Sequence, residues 1–421
     1  MKESQHPYGL DTELGNIDVI THILSDKNGK TVYSIADDFF ETKNNARRFP
    51  SACMGELELM LACKLSYRDA AELLNRVRHE NEDGGIKTTT LRNVVERQGE
   101  AINSRQRDMA GEALLANGFT GGGDKKPGTE VITAEPKTID KDIVAAAAAE
   151  LGLNDIDVSA YEEPEQTVNI SADDVVVDRQ ASTRPNSPEK GQKKRVSNTV
   201  IHIQREAKAY ILNNGGIKGA LVTLLGFLFA NSLTGLCQFV FFTDGAADLN
   251  EPIKAMFGFL PMKIILDWFH LMKKVKERLS QAMTGYKKRN AFMDLLSPVL
   301  WMGDVKAAIS MLEGLPDDLV RSRNEVFRLI EYLKRNESYI PCYMMRAKLG
   351  LWNSSNRVEN ANGRVVSFRQ KARGMSWSRE GSVALASVSA ANINGELINW
   401  SGSRTLDFKL TQDNSDNVKA A

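Results

Sequence analysis

Two short apolar runs in the middle of the chain each end in an aspartate. Residues 239–242 lead to Asp244 after one threonine, and residues 264–266 lead directly to Asp267. Such runs predict strands buried on both faces of a mostly parallel sheet, and ligands collect at the carboxyl ends of these strands. We therefore expect Asp244 and Asp267 to share a site with His270, three residues after Asp267. His270 would handle protons or orient Asp267, although a satisfied core histidine fits the spacing equally well.

The chain before these runs predicts the rest of a sheet. It contains, in order, an apolar strand, a charged hairpin, a second strand with its continuation, and a helix, over residues 168–177, 179–195, 196–212 and 217–233. The first strand carries Asp173 and Asp174 in its middle. This order is the one that a ribonuclease-H-like sheet requires, with one acid on the central first strand and another at the end of the fourth. The predicted fold class is therefore α/β, a ribonuclease-H-like mixed sheet.

The N-terminal half predicts a separate module. Residues 55–104 show three short helical patterns, the last with Arg92 and Arg97 outside an apolar stripe. Three helices with a cationic final helix resemble a helix-turn-helix DNA reader, and the two arginines would then contact DNA. A plain three-helix bundle is the alternative, and residues 55–104 taken alone favour it. Residues 1–54 predict a mixed segment, and the Gly- and Lys-rich residues 105–167 predict a flexible linker.

Residues 271–350 are helical by periodicity and predict an all-helical insertion between the two parts of the sheet domain, residues 168–270 and 351–400. The insertion opens with the cations Lys273, Lys274 and Lys276. A solvated helix face is the common fate of such a run, and contact with DNA phosphates is the functional alternative.

A third acidic residue, Glu359, follows a run of helix-capping residues and is expected near the start of a helix. Four cations around it are predicted to contact DNA, namely Arg357, Arg369, Lys371 and Arg373. Cations around one acid would suit a DNA strand that passes a metal site. The polar residues 401–421 predict a disordered tail.

Composition adds limits rather than a function. The 54 basic and 54 acidic residues cancel, so any nucleic acid must be bound by local basic patches. The four cysteines have no zinc-finger spacing and suit reduced thiols. No secretory signal is visible, and Gly and Asn interrupt the apolar residues 220–240, so we expect a cytoplasmic protein without a membrane partner.

The acidic residues point to metal-dependent chemistry on phosphodiesters. Cleavage and strand transfer need a hard divalent cation on each side of the scissile phosphate, and Mg²⁺ prefers carboxylate oxygens. The chain must then bring two Asp and one Asp or Glu together, and Asp173, Asp244 and Glu359 meet that requirement. Asp174 is the alternative first acid, because neighbours in a strand face opposite sides. Asp178 is a weaker alternative on the same face as Asp174.

Several strings between residues 168 and 400 together resemble one family: ADDVVVDRQ, TVIHIQ, FFTDGAADL, IILDWFHLMKK, LGLWNSSNRVEN and VVSFRQKARGMSWSREGSVALA. The sequence resembles DDE transposases of prokaryotic insertion sequences, in the ribonuclease-H-like group related to the eukaryotic Mutator elements. The resemblance implies a catalytic triad of Asp173 (or Asp174), Asp244 and Glu359, and a D-x-x-H signature at Asp267 and His270.

The resemblance also implies what the chain binds. These are two Mg²⁺ ions, with Mn²⁺ as a substitute, and double-stranded DNA of the element ends and the target, bound by a homo-oligomer with no small-molecule substrate. The chain departs from the family pattern in Asp178, where a lysine is expected, and in its longer, more acidic linker. The alternative functions are a catalytically silent DNA-binding derivative and another ribonuclease-H-like nuclease.

Overall fold

A computed structural model of the chain describes residues 2–13, 15–34, 49–78, 85–154, 156–180, 195–371 and 375–412. The chain divides into two compact units. Unit 1 comprises Met1–Gln106, Val177–Val196 and Arg364–Asp407, and unit 2 comprises Arg107–Val176, Ser197–Gly363 and Phe408–Ala421.

Unit 1 begins with a small sheet and continues into helices. Its first elements are β1 (Lys2–Thr12), β2 (Gly15–Ser25), β3 (Thr31–Ser34), β4 (Phe49–Pro50), α1 (Ala52–Lys64), α2 (Tyr67–Val77) and α3 (Thr88–Ala116). The strand order is β3-β2-β1-β4, with β1 and β2 antiparallel and β4 parallel to β1. Hydroxyl caps start two of the helices, because Ser51 accepts from the Met54 amide and Ser66 from the Asp69 amide.

Helix α3 differs from the predicted third helix of a helix-turn-helix reader. It runs for 29 residues instead of ending near residue 104, and its last ten residues, from Arg107, belong to unit 2. Gly99 does not interrupt it, because a close packing contact requires the small residue: a Cβ there would lie 2.1 Å from the Ala384 carbonyl oxygen. The three N-terminal helices are present, but the short DNA-reading helix is not what forms.

Unit 2 is built on a six-stranded mixed sheet. Its helices and strands up to the last central strand are α4 (Lys141–Glu150), β5 (Thr167–Asp178), β6 (Arg195–Arg205), β7 (Lys208–Asn214), α5 (Ile217–Ala230), β8 (Gln238–Thr243), α6 (Ala247–Phe257) and β9 (Met262–Leu266). With β10 (Thr411–Gln412), the strand order is β10-β7-β6-β5-β8-β9. Strand β8 is parallel to both β5 and β9, and β6 is antiparallel to β7. The chain is thus mixed α/β, as predicted.

The prediction that β8 is buried on both faces is confirmed. Every residue of β8 is buried, and alternate side chains enter different cores. Phe239 and Phe241 pack in one hydrophobic cluster with α5, whereas Val240 and Phe242 pack in another with the helices after β9. A continuous apolar run satisfies both faces, which is why alternation is absent from the sequence here.

The predicted second strand with its continuation is two strands. The chain turns between β6 and β7 at Glu206, which has a positive φ of 52°. The sequence at this turn is polar, and charged residues lie beside it on both strands. This polar stretch interrupts the apolar pattern that predicted one continuous strand. The two strands then form a hairpin from Thr199↔Asn214 to Arg205↔Lys208.

The predicted helical insertion is present after β9. It consists of α7 (Trp268–Ala282), α8 (Tyr286–Trp301), α9 (Val305–Glu313), α10 (Arg323–Asn336) and α11 (Tyr343–Lys348). The remaining helices are α12 (Asn356–Asn362), a π-helical turn (Gly363–Ser367), α13 (Phe368–Gln370), α14 (Arg379–Ile393) and α15 (Leu397–Ser403). Of these, α14 and α15 belong to unit 1, and α12 belongs to unit 2.

The segment predicted as a flexible linker, residues 105–167, contains ordered elements. Helix α3 fills its first part, and α4 starts at the capping residue Asp140. The alanine-rich α4 buries Val144 in a cluster with Tyr161, Met345 and Leu351, so this helix is part of a core rather than a tether. The alanines favour the helix, and Val144 gives it an apolar contact that the sequence did not reveal.

The predicted disordered tail, residues 401–421, is partly structured. Strand β10 pairs with β7, and Phe408 is buried against Tyr210 and Phe227. Residues 413–421 lie outside the described residues. Among the helices that the structure describes, none combines the length and apolarity that crossing a membrane demands.

Candidate active site

Three acidic residues lie at neighbouring strands of the unit 2 sheet. Asp173 is on β5, Asp244 follows β8 and Asp267 follows β9. The register pairs Ser171 with Phe242 and Thr243 with Leu266, so the three acids come one or two residues after paired positions. The register therefore places Asp244 and Asp267 directly after the paired residues Thr243 and Leu266, and that the two share a site stays a prediction. Gly245 allows the sharp turn after Asp244, with a positive φ of 78°.

Asp173 and Asp174 make different contacts, as neighbours in a strand must. The half-buried Asp173 accepts a hydrogen bond of 2.7 Å at Oδ2 from Asn362 of α12. The exposed Asp174 accepts one of 2.5 Å at Oδ1 from the Thr199 hydroxyl of β6. Asp173 therefore contacts the helix that carries Glu359, whereas Asp174 contacts β6. Asp178 is exposed at the end of β5.

Asp267 organises the local structure around the site. Its carboxylate is fully buried, caps α7 through the His270 amide at 2.8 Å, and lies 3.0 Å from His270 Nδ1. Its second oxygen accepts a short hydrogen bond from the amide of Ser355. Burial raises the pKa of Asp267, but the hydrogen bonds from His270 and Ser355 outweigh it and hold the pKa below its usual value. Every oxygen of this carboxylate is thus occupied by the protein.

Glu359 is held near His270 because its amide donates to the Ser355 carbonyl oxygen at 3.1 Å, and the Ser355 amide is itself bound to Asp267. The Glu359 Oε1 atom lies 4.0 Å from His270 Nε2, while the other ring nitrogen faces Asp267. The hydrogen bond from His270 to Asp267 raises the pKa of the histidine, which favours its protonated form opposite Glu359. The sequence prediction that Glu359 lies at the start of a helix is confirmed.

The charges of this cluster influence one another across distant parts of the chain. Burial raises the pKa of Asp173, and the Asp244 carboxylate adds to the rise while His270 opposes it. Burial likewise raises the pKa of Glu359, with Asp267 and Asp173 adding to it and His270 opposing it. Like charges that raise each other's pKa are stabilised by a bound cation. The arrangement is therefore an acidic cluster in which His270 is a counter-charge of both Asp173 and Glu359, and Lys273 a weaker one of Glu359.

Asn362 completes the cluster, and sequence reasoning missed it. The side chain is only 6% exposed and its Nδ2 donates to Asp173. Its Oδ1 atom is buried without a hydrogen-bond partner among the described residues. The available signal was its position three residues after Glu359, which places both on one side of α12.

The donor set fits Mg²⁺ in kind. Carboxylate and amide oxygens are the ligands that Mg²⁺ prefers, and the unpartnered Oδ1 of Asn362 is a further oxygen beside Asp173. Within the parts of the chain that the structure describes, however, no three His, Cys, Asp or Glu side chains already surround one metal position. The acids converge, but their side chains do not form a closed set of ligands.

The predicted DNA-contacting cations differ in their surroundings. In unit 2, Lys273 and Lys276 are exposed, Lys274 is half-buried, and the exposed Arg357 lies with its guanidinium 4.8 Å from the centre of the Trp352 ring. In unit 1, three of them are exposed, namely Arg92, Arg97 and Lys371. Arg373 lies outside the described residues.

Arg369 is a correction to the predicted DNA contacts. It is 4% exposed, and its guanidinium lies 5.0 Å from the Tyr67 ring centre and 5.2 Å from that of Trp377. Its Nε donates to the Ala62 carbonyl oxygen at 3.0 Å. The two rings also contact each other, with their centres 6.1 Å apart, so the guanidinium packs against an aromatic pair. A guanidinium that is buried against two rings and bound to the backbone is not exposed to a phosphate, so Arg369 is a core residue of unit 1.

Comparison with known proteins adds little. No protein-family model matches the chain, and no curated protein matches its sequence. A solved structure, the Drosophila P element transposase strand transfer complex, shares 9% sequence identity with a TM-score of 0.27, over 90% of this chain and 87% of that one. A likeness this weak carries no argument about this chain, whose site must be judged from its own residues.

Proposed function

We propose that this chain is a DDE-type DNA transposase that cleaves DNA at the ends of an insertion sequence and transfers the strand into target DNA. The observation that carries the proposal is the convergence of Asp173, Asp244 and Glu359, which lie far apart in sequence and yet belong to one electrostatic cluster. Asp173 and Glu359 are half-buried, and like charges gathered away from bulk water are costly, so a chain that gathers them has a use for a cation.

The strand order supports a ribonuclease-H-like sheet. Reading the strands in chain order from β5, the order β7-β6-β5-β8-β9 places the first acid on a central strand and the second after the fourth strand. The long helical segment from α7 to α11 then separates the second acid from the third. This arrangement agrees with the resemblance to DDE transposases of prokaryotic insertion sequences in the Mutator-related group.

Each residue of the cluster has a role in the proposed reaction. Asp173, Asp244 and Glu359 would hold two Mg²⁺ ions, with Asn362 as a further oxygen donor beside Asp173. When bound, the ions supply an activated water or 3′-hydroxyl and stabilise the leaving oxygen. His270 balances the charge of Glu359 from 4.0 Å away, and Asp267 fixes the orientation of the imidazole and of the helix that bears Glu359.

Binding of DNA would use the exposed cations. Lys273 and Lys276 extend along α7 from the cluster, and Arg357 precedes Glu359 on α12. Arg92, Arg97 and Lys371 are exposed on unit 1 and would contribute to binding of the element ends. Synapsis of two element ends would require a homo-oligomer.

A catalytically silent DNA-binding derivative is the second candidate. The observation that favours it is the lack of three ready-placed His, Cys, Asp or Glu side chains around one metal position among the described residues. Such a protein would bind the element ends with its cations and leave them intact.

The deciding experiment is cleavage of DNA that carries the inverted repeats flanking the gene, in Mg²⁺ or Mn²⁺. The wild-type chain should cut at the repeat ends, and Asp244→Asn should not. Asp248→Asn is the matched control, because Asp248 is also an exposed aspartate, four residues further on in α6. Specific binding without cleavage would support the silent derivative, and cleavage of branched DNA or DNA–RNA hybrids without repeat ends would support another nuclease. Equal cleavage by wild type and Asp244→Asn would remove the proposal.

A further inference from the structure

The helical segment of unit 2 contains a cavity beside the acidic cluster. It lies between α7 and α10 and has a volume of about 420 Å³. This is within the range of about 300–1,000 Å³ that is typical of small-molecule sites. Its wall is formed chiefly by basic and aromatic side chains, Lys274, Arg278, Phe327, Arg328, Tyr332 and Arg335.

The cavity carries net positive charge. Four cations line it, and two carboxylates stand against them: Glu331 in the wall and Glu325 beside it. Glu325 binds both Arg278 and Arg328 at 2.7 Å, which fixes two guanidinium groups at one end of the cavity. Two positive charges remain in excess. A site with fixed guanidinium groups and a nearby lysine suits a phosphate.

The aromatic side chains give the cavity a second kind of surface. Phe327 is 59% exposed at its edge, so its ring is accessible to a ligand in the cavity. Tyr332 is buried in the wall, with the Arg335 guanidinium 5.8 Å from its ring centre. A phosphate alone has no use for exposed ring faces, whereas a nucleobase stacks on them. The combination therefore points to a ligand with an anionic part and a flat part.

The cavity is linked directly to the strand end that bears Asp244. The Tyr332 hydroxyl lies 3.5 Å from the Asp244 carbonyl oxygen. One turn further along α10, Asn336 packs closely on Gly245. A Cβ atom added to Gly245 would lie 2.9 Å from Oδ1 of Asn336. A ligand in the cavity would therefore lie next to the turn that positions the second acid.

We propose that this cavity binds one unstacked nucleotide, with its phosphate at the Lys274 and Arg278 side and its base against Phe327. The nucleotide would belong to a single-stranded stretch of the DNA that the acidic cluster cleaves, an assignment that rests on the proposed function. A free nucleotide offers the same chemistry, and the experiment separates the two sources.

The test measures binding of a fluorescein-labelled oligothymidine of about ten nucleotides by anisotropy in EDTA, where no cleavage occurs. Phe327→Leu keeps an apolar side chain but removes the ring, and should weaken binding about tenfold. Lys274→Gln should reduce the dependence of log K on log salt by about 0.7. Phe327→Leu should leave that slope unchanged. Lys306→Gln, an exposed lysine on α9, is the control and should change neither quantity.

Competition identifies the source of the nucleotide. Unlabelled oligothymidine and thymidine monophosphate are compared by the concentration at which each displaces the labelled oligothymidine. Equal concentrations would support the cavity as a site for a free nucleotide. Much weaker displacement would support a nucleotide within a strand. Wild-type binding by both Phe327→Leu and Lys274→Gln would overturn the inference, as would displacement by an oligoglutamate peptide that is equally strong in wild type and Phe327→Leu.

Failure of this inference differs from failure of the proposed function. Cleavage of repeat DNA by wild type, with unchanged oligothymidine binding in both cavity variants, overturns the cavity alone. Ring-dependent oligothymidine binding by a wild-type chain that cleaves no DNA overturns the transposase and leaves the cavity as a nucleotide site.

Discussion

The hydrogen bonds of Asp267 allow a prediction whose size can be worked out from a matched pair of helix caps. Asp267 caps α7 and also holds His270 Nδ1 and the Ser355 amide. Asp304 caps α9 through the Ala307 amide at 2.9 Å and is exposed. Asparagine is as good an N-cap as aspartate, so Asp304→Asn should change the free energy of unfolding by less than about 0.5 kcal/mol.

Asp267→Asn should cost far more. The amide group would place a donor against the Ser355 amide or against His270, which removes one hydrogen bond to a charged group, worth about 1.5–3 kcal/mol. At about 2–4 °C per kcal/mol, the apparent Tm should fall by roughly 3–12 °C. DNA cleavage should fall as well, because Ser355 begins the helix that carries Glu359.

Thermal unfolding of both variants across pH checks this prediction. The pKa of Asp267 lies below its usual value, so its ionised form contributes stability above the unfolded-state pKa of about 3.9. That contribution is lost as the pH falls through the lower folded-state pKa. The Tm gap between Asp267→Asn and wild type should therefore be present near neutral pH and shrink in strong acid. If Asp267→Asn and Asp304→Asn unfold at the same temperature, the role assigned to Asp267 is wrong.

Three further predictions follow from contacts within each unit. Asp173→Asn should lower cleavage by on the order of a thousandfold, whereas Asp174→Asn should retain most activity, as single-turnover rates would reveal; equal losses would contradict the choice of Asp173. Glu162→Gln should cost about 3–5 kcal/mol because it leaves the buried Arg346, now held at 2.6 Å and 3.0 Å, without its carboxylate. Burial raises the pKa of Glu162, but Arg346 outweighs it and holds that pKa below its usual value. The Tm gap between wild type and Glu162→Gln should therefore close as the pH falls below about 4, and a gap that persists in acid would refute this. Arg369→Gln should destabilise unit 1 by about 2 kcal/mol in chemical denaturation and leave the salt dependence of DNA binding unchanged. A weaker salt dependence in this variant would show that Arg369 contacts a phosphate after all.

Local pattern and burial agree where the sequence was informative. An apolar run followed by an acid predicted β8 with Asp244 and β9 with Asp267, because the buried stretch of a central strand is apolar and an acid marks the point where the strand leaves the core. The capping run before Glu359 predicted a helix start for the same kind of local reason.

Contacts between distant residues were out of reach. Asn362 meets Asp173 across 189 residues of sequence, and its spacing from Glu359 alone could not reveal its partner. Arg369 lies among exposed cations in sequence, and only its packing against the rings of Tyr67 and Trp377 shows that it is buried. The alanine-rich α4 likewise gave no sign of the core that it joins.

The pairing of β10 with β7 has a practical consequence for handling the protein. The two residues of β10 cover the edge strand β7 of the large sheet, and the buried Phe408 holds this segment in place. A version shortened to end at Asp407 would leave the amide and carbonyl groups of β7 open to a strand from another molecule, which invites self-association. The last stretch of the described chain therefore protects this sheet edge from aggregation. Removing it to improve solubility would make the protein less soluble.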